Sequence, residues 1–429
     1  MMVNTKMKRV VIIGGGATGA CVAINLYQFF KMKFEIVIID PSESLGLGRA
    51  YQTIDEENLL NVAASNMGLK ADIPTDFSNW LDSKNYSQSG FIHWPFVPRK
   101  IYGKYIQEQL SHIRFTHLKL KVNDVKINEQ GFNIFLSNGS IYDASYVIIS
   151  TGYKAEHNIF EHLMSKQSSH RLLFANEVEH IDFKTNDKIL ILGTGLTAID
   201  VWKRLRRIVD QSLTMLSRRG LLPFVHIKSE EIKSFPHLLG LTPRQLFDVL
   251  RKYHFEVSQP WQVIADQVRL QNRRIWSSWN AIQKKQFIRH MKIYWEVIRH
   301  RLPESIFKIL SDDIENGKLI ICSGNVEKIS KGLNQLSVTW RQRTTGEVIC
   351  QSFDYIILAT GAQISQELFS DKEVEYIKLS SNNLGYINLG IKNLWFAGPS
   401  SKEMFWEITA IPDIRQQAKD ICLELQKEF

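Results

Sequence analysis

Two strand, glycine-loop, helix units in one chain, each closed much later by a buried strand ending in Thr-Gly, predict an α/β fold. The architecture expected is two Rossmann-like dinucleotide-binding domains with a helical insert in the second. The first unit is RVVIIGGGATGACVAINLYQFF, in which the apolar run Val10 to Ile13 breaks into glycines and then into a helical pattern. The next apolar run, Phe34 to Ile39, stops on Asp40 and Pro41, completing a strand-helix-strand unit with a right-handed crossover. The second unit begins at Lys188 to Leu192, continues through GTGLTAIDVWKRL and returns to the strand-like SLTMLSRRG.

Each unit has a similar closing segment: GFNIFLSNGSIYDASYVIISTG from Gly131 to Gly152, and LSVTWRQRTTGEVICQSFDYIILATG from Leu336 to Gly361. Both read as alternating strands around a polar turn (Asn138 and Gly139; Thr345 and Gly346), followed by a buried strand. From about His226 to Asp312 the strand pattern gives way to Trp, Arg and Lys. Runs such as LTPRQLFDVLRKYH, with Thr242 as cap and Pro243 in the first turn, make that insert helical. The tail returns to a strand, NLWFAGP from Asn393 to Pro399, and a last helix from about Pro412. The organisation expected is therefore 1–160 for the first part of the first nucleotide domain, 161–361 for the second with its insert at about 226–312, and 362–429 returning to the first.

The bulk properties narrow the class. With 429 residues, 44% of them hydrophobic, the chain has enough apolar material for two or three cored domains. No apolar run approaches the roughly 18 to 20 residues of a membrane span, and Met1 to Arg9 is too short and polar for a secretory signal, so a cytoplasmic protein is expected. Cys21, Cys322, Cys350 and Cys422 form no CxxC pair; neither a zinc site nor a redox disulfide is written locally, and buried free thiols are expected. The net charge of +9 is spread over many segments without a nucleic-acid motif, which leaves a small-molecule substrate as the expected partner.

Gly14, Gly16 and Gly19, with Ala17 and Thr18 between them, form GxGxxG directly after a strand. The first glycine permits the tight turn, the second lets the backbone approach a pyrophosphate, and the third permits close packing of helix on strand. Free amides at the helix start meet the phosphate charge, with the helix dipole adding about 0.3 to 1 kcal/mol. Asp40 ends the second strand, where a carboxylate accepts from both hydroxyls of an adenosine ribose. The second loop, Gly193, Gly195, Leu196, Thr197 and Ala198, is a GxGxxA variant. After its second strand come Ser217, Arg218 and Arg219 instead of an acid. Guanidinium groups there hold a ribose 2′-phosphate through charge-assisted bonds of roughly 1.5 to 3 kcal/mol each, favouring NADPH over NADH. Two sites of opposite ribose preference imply a relay in which a nicotinamide passes hydride to a second bound redox cofactor, and FAD is the economical partner.

At this point the chain resembles the two-dinucleotide-binding-domain flavoproteins, which include glutathione-reductase-like enzymes and the flavin-dependent N-hydroxylating and Baeyer-Villiger monooxygenases. The resemblance covers both glycine loops, Thr151 with Gly152, Thr360 with Gly361, and the Trp395 to Pro399 strand. It implies that Gly398 and Pro399 stand where relatives have Gly-Asp, the Asp meeting the FAD ribityl chain, so that Ser400 or Ser401 would supply a hydroxyl instead. It also implies that Glu407, Ile408, Thr409 and Pro412 lie at the flavin pyrimidine edge. A closer resemblance is to a bacterial family of FAD/NAD(P)-binding proteins, carried by LGLGRAYQT (Leu45 to Thr53), NLLNVAASNM (Asn58 to Met67), FVPRKIYGKYI (Phe96 to Ile106), YWEVIRHRLP (Tyr294 to Pro303) and FWEITAIPDIRQQA (Phe405 to Ala418). This likeness implies that Arg49, Asn61 and Val62 lie near the FAD.

The absence of a cysteine pair argues against thiol relay chemistry. The FxGxxxHxxxW signature of Baeyer-Villiger enzymes is also missing, since FIHWPFVPR has a His and a Trp without the glycine or the spacing. The reaction expected is oxygen activation at a reduced flavin, oxidising a nitrogen of a small polar, amine or amino-acid-like substrate, with the protein contributing orientation, charge and water exclusion. The alternatives are an NAD(P)H dehydrogenase passing electrons to a quinone or other acceptor, and a flavin-binding regulatory protein whose insert recruits a partner. Candidate catalytic side chains are His93, Arg99, Tyr102, Arg299, His300 and Arg301, each weighed against packing or an ion pair. Trp261, Trp276, Trp279 and Trp295 either line a cavity or fill the insert's core.

Overall fold

The computed structural model describes residues 7–53, 55, 57–86, 95–156, 160–163, 170–227, 232, 234–364, 368, 391–401 and 405–428. The strand Arg9–Ile13 lies at the centre of a five-stranded parallel sheet, in the order Leu394–Phe396, Tyr146–Ile149, Arg9–Ile13, Glu35–Ile39, Thr116–Leu118. Both faces of this sheet are covered, which is why its strands are continuous apolar runs rather than alternating ones. Val10, Ile12, Ile36 and Ile38 pack on one side with residues of the helices Ala17–Phe30, Arg99–Ser111 and Ile411–Gln426. Val11, Ile13, Val37 and Ile39 pack on the other with Val125, Phe132 and Ile134 of a three-stranded antiparallel sheet. The strand Leu394–Phe396 and the helix after it thus return to the sheet that the N-terminus began.

The second sheet has seven strands in the order Val348–Phe353, Leu336–Gln342, Leu319–Lys331, Leu213–Ser217, Ile189–Leu192, Tyr355–Leu358, Leu172–Phe174. The strand Leu319–Lys331 pairs parallel with Leu213–Ser217 through its first half and antiparallel with Leu336–Gln342 through its second. A register irregularity between Val326 and Lys328 lies on the antiparallel stretch. The two closing segments are therefore used differently: the first builds a separate small sheet, the second extends the parallel one.

Between Leu213–Ser217 and Leu319–Lys331 lie the helices Pro243–Val257, Trp261–Arg269, Asn272–Ser278, Ala281–His290 and Lys292–Arg299. Thr242 and Asn280 start two of them with capping boxes closed by Gln245 and Gln283. Leu246, Ile264, Trp276, Trp279 and Phe287 form the insert's core, so these tryptophans do fill it. The α/β architecture with a helical insert is the one the sequence predicts. Among the described residues no helix is long and apolar enough to cross a membrane. All four cysteines are free; Cys21 and Cys422 are buried as expected, whereas Cys322 is half-buried and Cys350 exposed.

Candidate nucleotide-binding site

The first glycine loop is constrained at each of its key positions. Gly14 has φ +100°, and a Cβ there would lie 2.6 Å from the Ser150 carbonyl oxygen. A Cβ on Gly19 would lie 2.1 Å from the Gly14 carbonyl oxygen, so the helix can sit this close to the strand only without one. Gly16 is the N-cap of the helix Ala17–Phe30, which has no side-chain cap and no acidic residue in its first turn. Its leading amides are consequently left for an external anion. Asp40 stands at the end of its strand, but its carboxylate already accepts from the Gly15 amide at 2.6 Å and the Ser42 amide at 2.8 Å. It shapes the loop and keeps further lone pairs for ribose hydroxyls.

The loop follows the carboxyl end of the strand Arg9–Ile13, the end at which open parallel sheets bind ligands. Thr151 has a buried hydroxyl with no partner among the described residues, and Gly152, at φ +70°, has open space beside it. Gly398 has φ +64°, and a Cβ there would meet the Thr18 hydroxyl at 2.4 Å. The segment carrying Arg49 crosses the loop, its Gly46 amide donating to the Gly15 carbonyl at 2.7 Å, and Arg49 itself is exposed. Asn61 and Val62 are half-buried, and the Asn61 carbonyl pairs with His226 Nε2 at 3.0 Å. A glycine cradle, an uncapped helix and an orphaned hydroxyl together fit FAD.

The second loop repeats the design. Gly193 has φ +126°, with a Cβ position 2.4 Å from the Ala359 carbonyl oxygen, the same close approach that Gly14 makes to Ser150. Gly195 caps the helix Leu196–Leu205 with no side-chain cap, no acid in the first turn and open space around it. Leu196 is half-buried, Thr197 exposed, and Thr360 and Gly361 follow the neighbouring strand Tyr355–Leu358, Gly361 at φ +86°. The Thr194 hydroxyl donates to the Leu221 carbonyl at 2.6 Å and lies 2.9 Å from Ser217 Oγ, fixing the turn that presents the arginines. Arg218 is exposed, whereas Arg219 donates to the Tyr294 hydroxyl at 2.8 Å and lies over its ring at 5.1 Å. Of the two arginines, one faces outward and the other is shared with the insert.

The described candidate catalytic side chains each make a hydrogen bond or an ion pair within the fold. His93 lies outside the described residues. Tyr102 is fully buried and donates to the Met67 carbonyl at 2.8 Å. Arg99 donates to the Leu59 carbonyl at 3.0 Å and pairs with Asp200 at 2.8 Å, bridging the two nucleotide units. Arg301 pairs with Asp266 at 2.9 Å, and His300 Nε2 lies 3.2 Å from Glu296. Arg299 is buried, its Nε 2.7 Å from Glu407 Oε1. That contact is ionic rather than a directed hydrogen bond, since Arg299 Nε and Nη2 and both carboxylate oxygens have no hydrogen-bond partner among the described residues. Burial pushes the Glu407 carboxyl above its usual range, and Arg299 opposes the shift.

The Ser400 hydroxyl donates to the Ile149 and Ala397 carbonyls and the Ser401 hydroxyl to the Gly398 carbonyl, so both protons are used within the turn at Pro399. The residue that organises this turn is Gln417, fully buried, accepting from the Gly398 amide at 2.7 Å and donating to the Phe396 carbonyl and Ser401. Glu407 and Ile408 are buried and Thr409 half-buried just ahead of the helix Ile411–Gln426, whose first turn starts at Ile411 and Pro412.

Residues 11–154, which hold the first loop, Asp40, Thr151 and Gly152, match the model of an FAD-NAD(P)-binding family. Comparison with curated proteins gives no match. Among solved structures, the FAD-bound cadaverine monooxygenase of desferrioxamine biosynthesis from Erwinia amylovora is 13% identical with a TM-score of 0.70, over 99% of this chain and 95% of that one. The ornithine N-hydroxylase of Kutzneria sp. 744 is 12% identical with a TM-score of 0.65, over 99% and 100%. The fold is that of two-dinucleotide-binding-domain flavoproteins. Thioredoxin reductase from T. acidophilum, 12% identical with a TM-score of 0.54 over 97% and 98%, shares it, so the architecture spans different chemistries.

Proposed function

We propose that this chain is an FAD-dependent, NADPH-consuming monooxygenase acting on a small amine. The observation that carries the reading is the pair of uncapped glycine loops with opposite ribose ends, Asp40 after one and Ser217, Arg218 and Arg219 after the other. The four free cysteines, far apart in sequence, separate it from disulfide reductases of the same architecture. The similar ornithine and cadaverine hydroxylases support an amine as substrate.

FAD bound at the first loop would supply hydride acceptance from the nicotinamide and, once reduced, oxygen activation. The chain's own contribution is placement. In this reading the Gly14–Gly19 loop and the helix after it hold one pyrophosphate, Asp40 the adenosine ribose, and Thr151, Gly152, Arg49, Asn61 and Val62 are assigned to the same cofactor. Gly193, Gly195, Leu196 and Thr197 hold the second pyrophosphate, and Arg218 the 2′-phosphate. Arg99 and Asp200 join one nucleotide unit to the other.

The test uses the purified yellow protein with NADPH, air and a panel of diamines and basic amino acids. NADPH oxidation that depends on both oxygen and amine, with a hydroxylated amine formed, is the expected result. Equal oxidation with a quinone under nitrogen and no hydroxylated product would transfer the assignment to an NAD(P)H dehydrogenase. No turnover with any acceptor would leave a regulatory flavoprotein.

A further inference from the structure

We propose that the helical insert completes the nicotinamide-coenzyme site, with Tyr294 as the aromatic platform for the adenine ring and Arg219 laid beside it. The inference rests on the reading of the second glycine loop as an NADPH site, and it names the residue that holds the base. In a dinucleotide-binding unit the adenosine ribose meets the end of the strand that follows the glycine-loop helix, so the base joined to that ribose lies at the same end. Here that strand is Leu213–Ser217, and Arg218 and Arg219 follow it. A base stacks through its π-face and needs a flat partner there. The strand end supplies no ring of its own, since Ser217, Arg218, Arg219 and Gly220 carry none.

The insert brings a ring to this place. Tyr294 lies on the helix Lys292–Arg299, 75 residues beyond Arg219 in the chain. Its hydroxyl accepts from Arg219 Nη1 at 2.8 Å, and the guanidinium lies over the ring at 5.1 Å from its centroid. Trp295, next in sequence, packs on the insert's core, whereas Tyr294 stays 41% exposed. A guanidinium is planar and stacks on flat rings, so Arg219 extends the surface that Tyr294 begins. The labour is thereby divided: Arg218 reads the 2′-phosphate, and Tyr294 with Arg219 holds the base that NADPH and NADH share.

The backbone fixes this juxtaposition. Ahead of the arginines, Ser217 Oγ lies 2.9 Å from the Thr194 hydroxyl of the second glycine loop and accepts from the Gly220 amide at 3.0 Å. Past them, the Phe224 amide donates to the Val297 carbonyl at 2.9 Å, on the helix that carries Tyr294. The Leu302 amide then donates to the Phe224 carbonyl and the His226 amide to the Leu302 carbonyl, both at 2.8 Å. The arginine turn is therefore held between the second glycine loop and the insert's helix Lys292–Arg299, which gives the insert a direct part in coenzyme binding.

The test is calorimetric titration of 2′,5′-ADP and of 5′-ADP into the FAD-loaded full-length protein, with no turnover. Tyr294→Ala should weaken both nucleotides about tenfold, because both carry the base. Arg218→Ala should weaken 2′,5′-ADP alone. Tyr294→Phe keeps the ring and loses only the hydroxyl, so its affinities should stay within about threefold of the unmodified protein. Phe255→Ala removes a ring that is 71% exposed elsewhere on the insert and should change neither nucleotide. Tyr294→Leu, which is apolar but cannot stack, carries the comparison if Tyr294→Ala fails to fold. A loss in Tyr294→Phe as large as in Tyr294→Ala would make the residue a tether for Arg219 and overturn the proposal, as would an unchanged affinity for 5′-ADP in Tyr294→Ala. Because binding is read without turnover, a protein that shows this pattern yet hydroxylates no amine refutes the monooxygenase reading alone.

Discussion

At the scale of the residue, the glycine loops make the sharpest predictions. Gly14 has a backbone conformation that L side chains rarely adopt and a main-chain oxygen 2.6 Å from where a Cβ would stand. Gly14→Ala should cost about 2 to 4 kcal/mol and release FAD; thermal unfolding and flavin retention on a desalting column measure both, and a yellow variant of unchanged Tm would show the loop to be less constrained. The two arginines should separate. Arg218 is exposed and Arg219 is tied to Tyr294, so Arg218→Ala should raise the Michaelis constant for NADPH about tenfold with little effect on NADH. Arg219→Ala should weaken both cofactors; equal losses of NADPH and NADH in Arg218→Ala would remove the 2′-phosphate assignment. The loops and these arginines were legible in the sequence because each function is written within a few consecutive residues. Arg299 with Glu407 was not legible, because the two stand in separate local patterns and only tertiary packing makes them partners.

At the scale of the element, the helices followed their local signals and the joints did not. Thr242 and Pro243 mark a helix start that the structure closes with a capping box, since that chemistry is complete within four residues. The seam between the insert and the first domain depends on contacts with no local signature. His226, at the entry to the insert, meets the Asn61 carbonyl at 3.0 Å and packs against Phe96 with ring centroids 4.5 Å apart. Burial lowers its pKa from 6.5 to about 4. Above pH 6.5 the ring is neutral both folded and unfolded, so the joint is intact. As pH falls from 6.5 toward 4 the unfolded chain takes up a proton that the folded joint refuses, and up to about 3 kcal/mol of stability is lost. Denaturant unfolding at a series of pH values should show this slope, and His226→Gln, which keeps a donor for Asn61 without titrating, should flatten it. An identical slope in the variant would place the titration elsewhere.

At the scale of the whole molecule, the insert is tied to the C-terminal part of the chain's first domain. Arg269 reaches both oxygens of Asp413 at 2.9 Å, Arg273 meets Asp420 at 2.9 Å, and Trp406 enters the insert's aromatic core. The nucleotide units are joined independently by Arg99 with Asp200 and by Arg207 with Asp55 and Glu57. Such ties suit a molecule that must hold two cofactors and a substrate in register, and they imply that the insert melts with the domain it clasps rather than alone. The pair Arg269 and Asp413 is the place to test this, because both side chains are largely shielded and Arg269 Nη2 meets both carboxylate oxygens. Asp413→Ala leaves Arg269 shielded and unpaired and should cost about 2 to 4 kcal/mol, whereas Arg269→Met with Asp413→Leu removes both charges and should restore most of it. Calorimetry of the single variant should then show the insert unfolding ahead of the remainder, and the double variant should recover one transition. One unchanged transition in all three proteins would mean that Trp406 and Arg273 alone hold the insert, and that the charge pair sets its orientation without setting its stability.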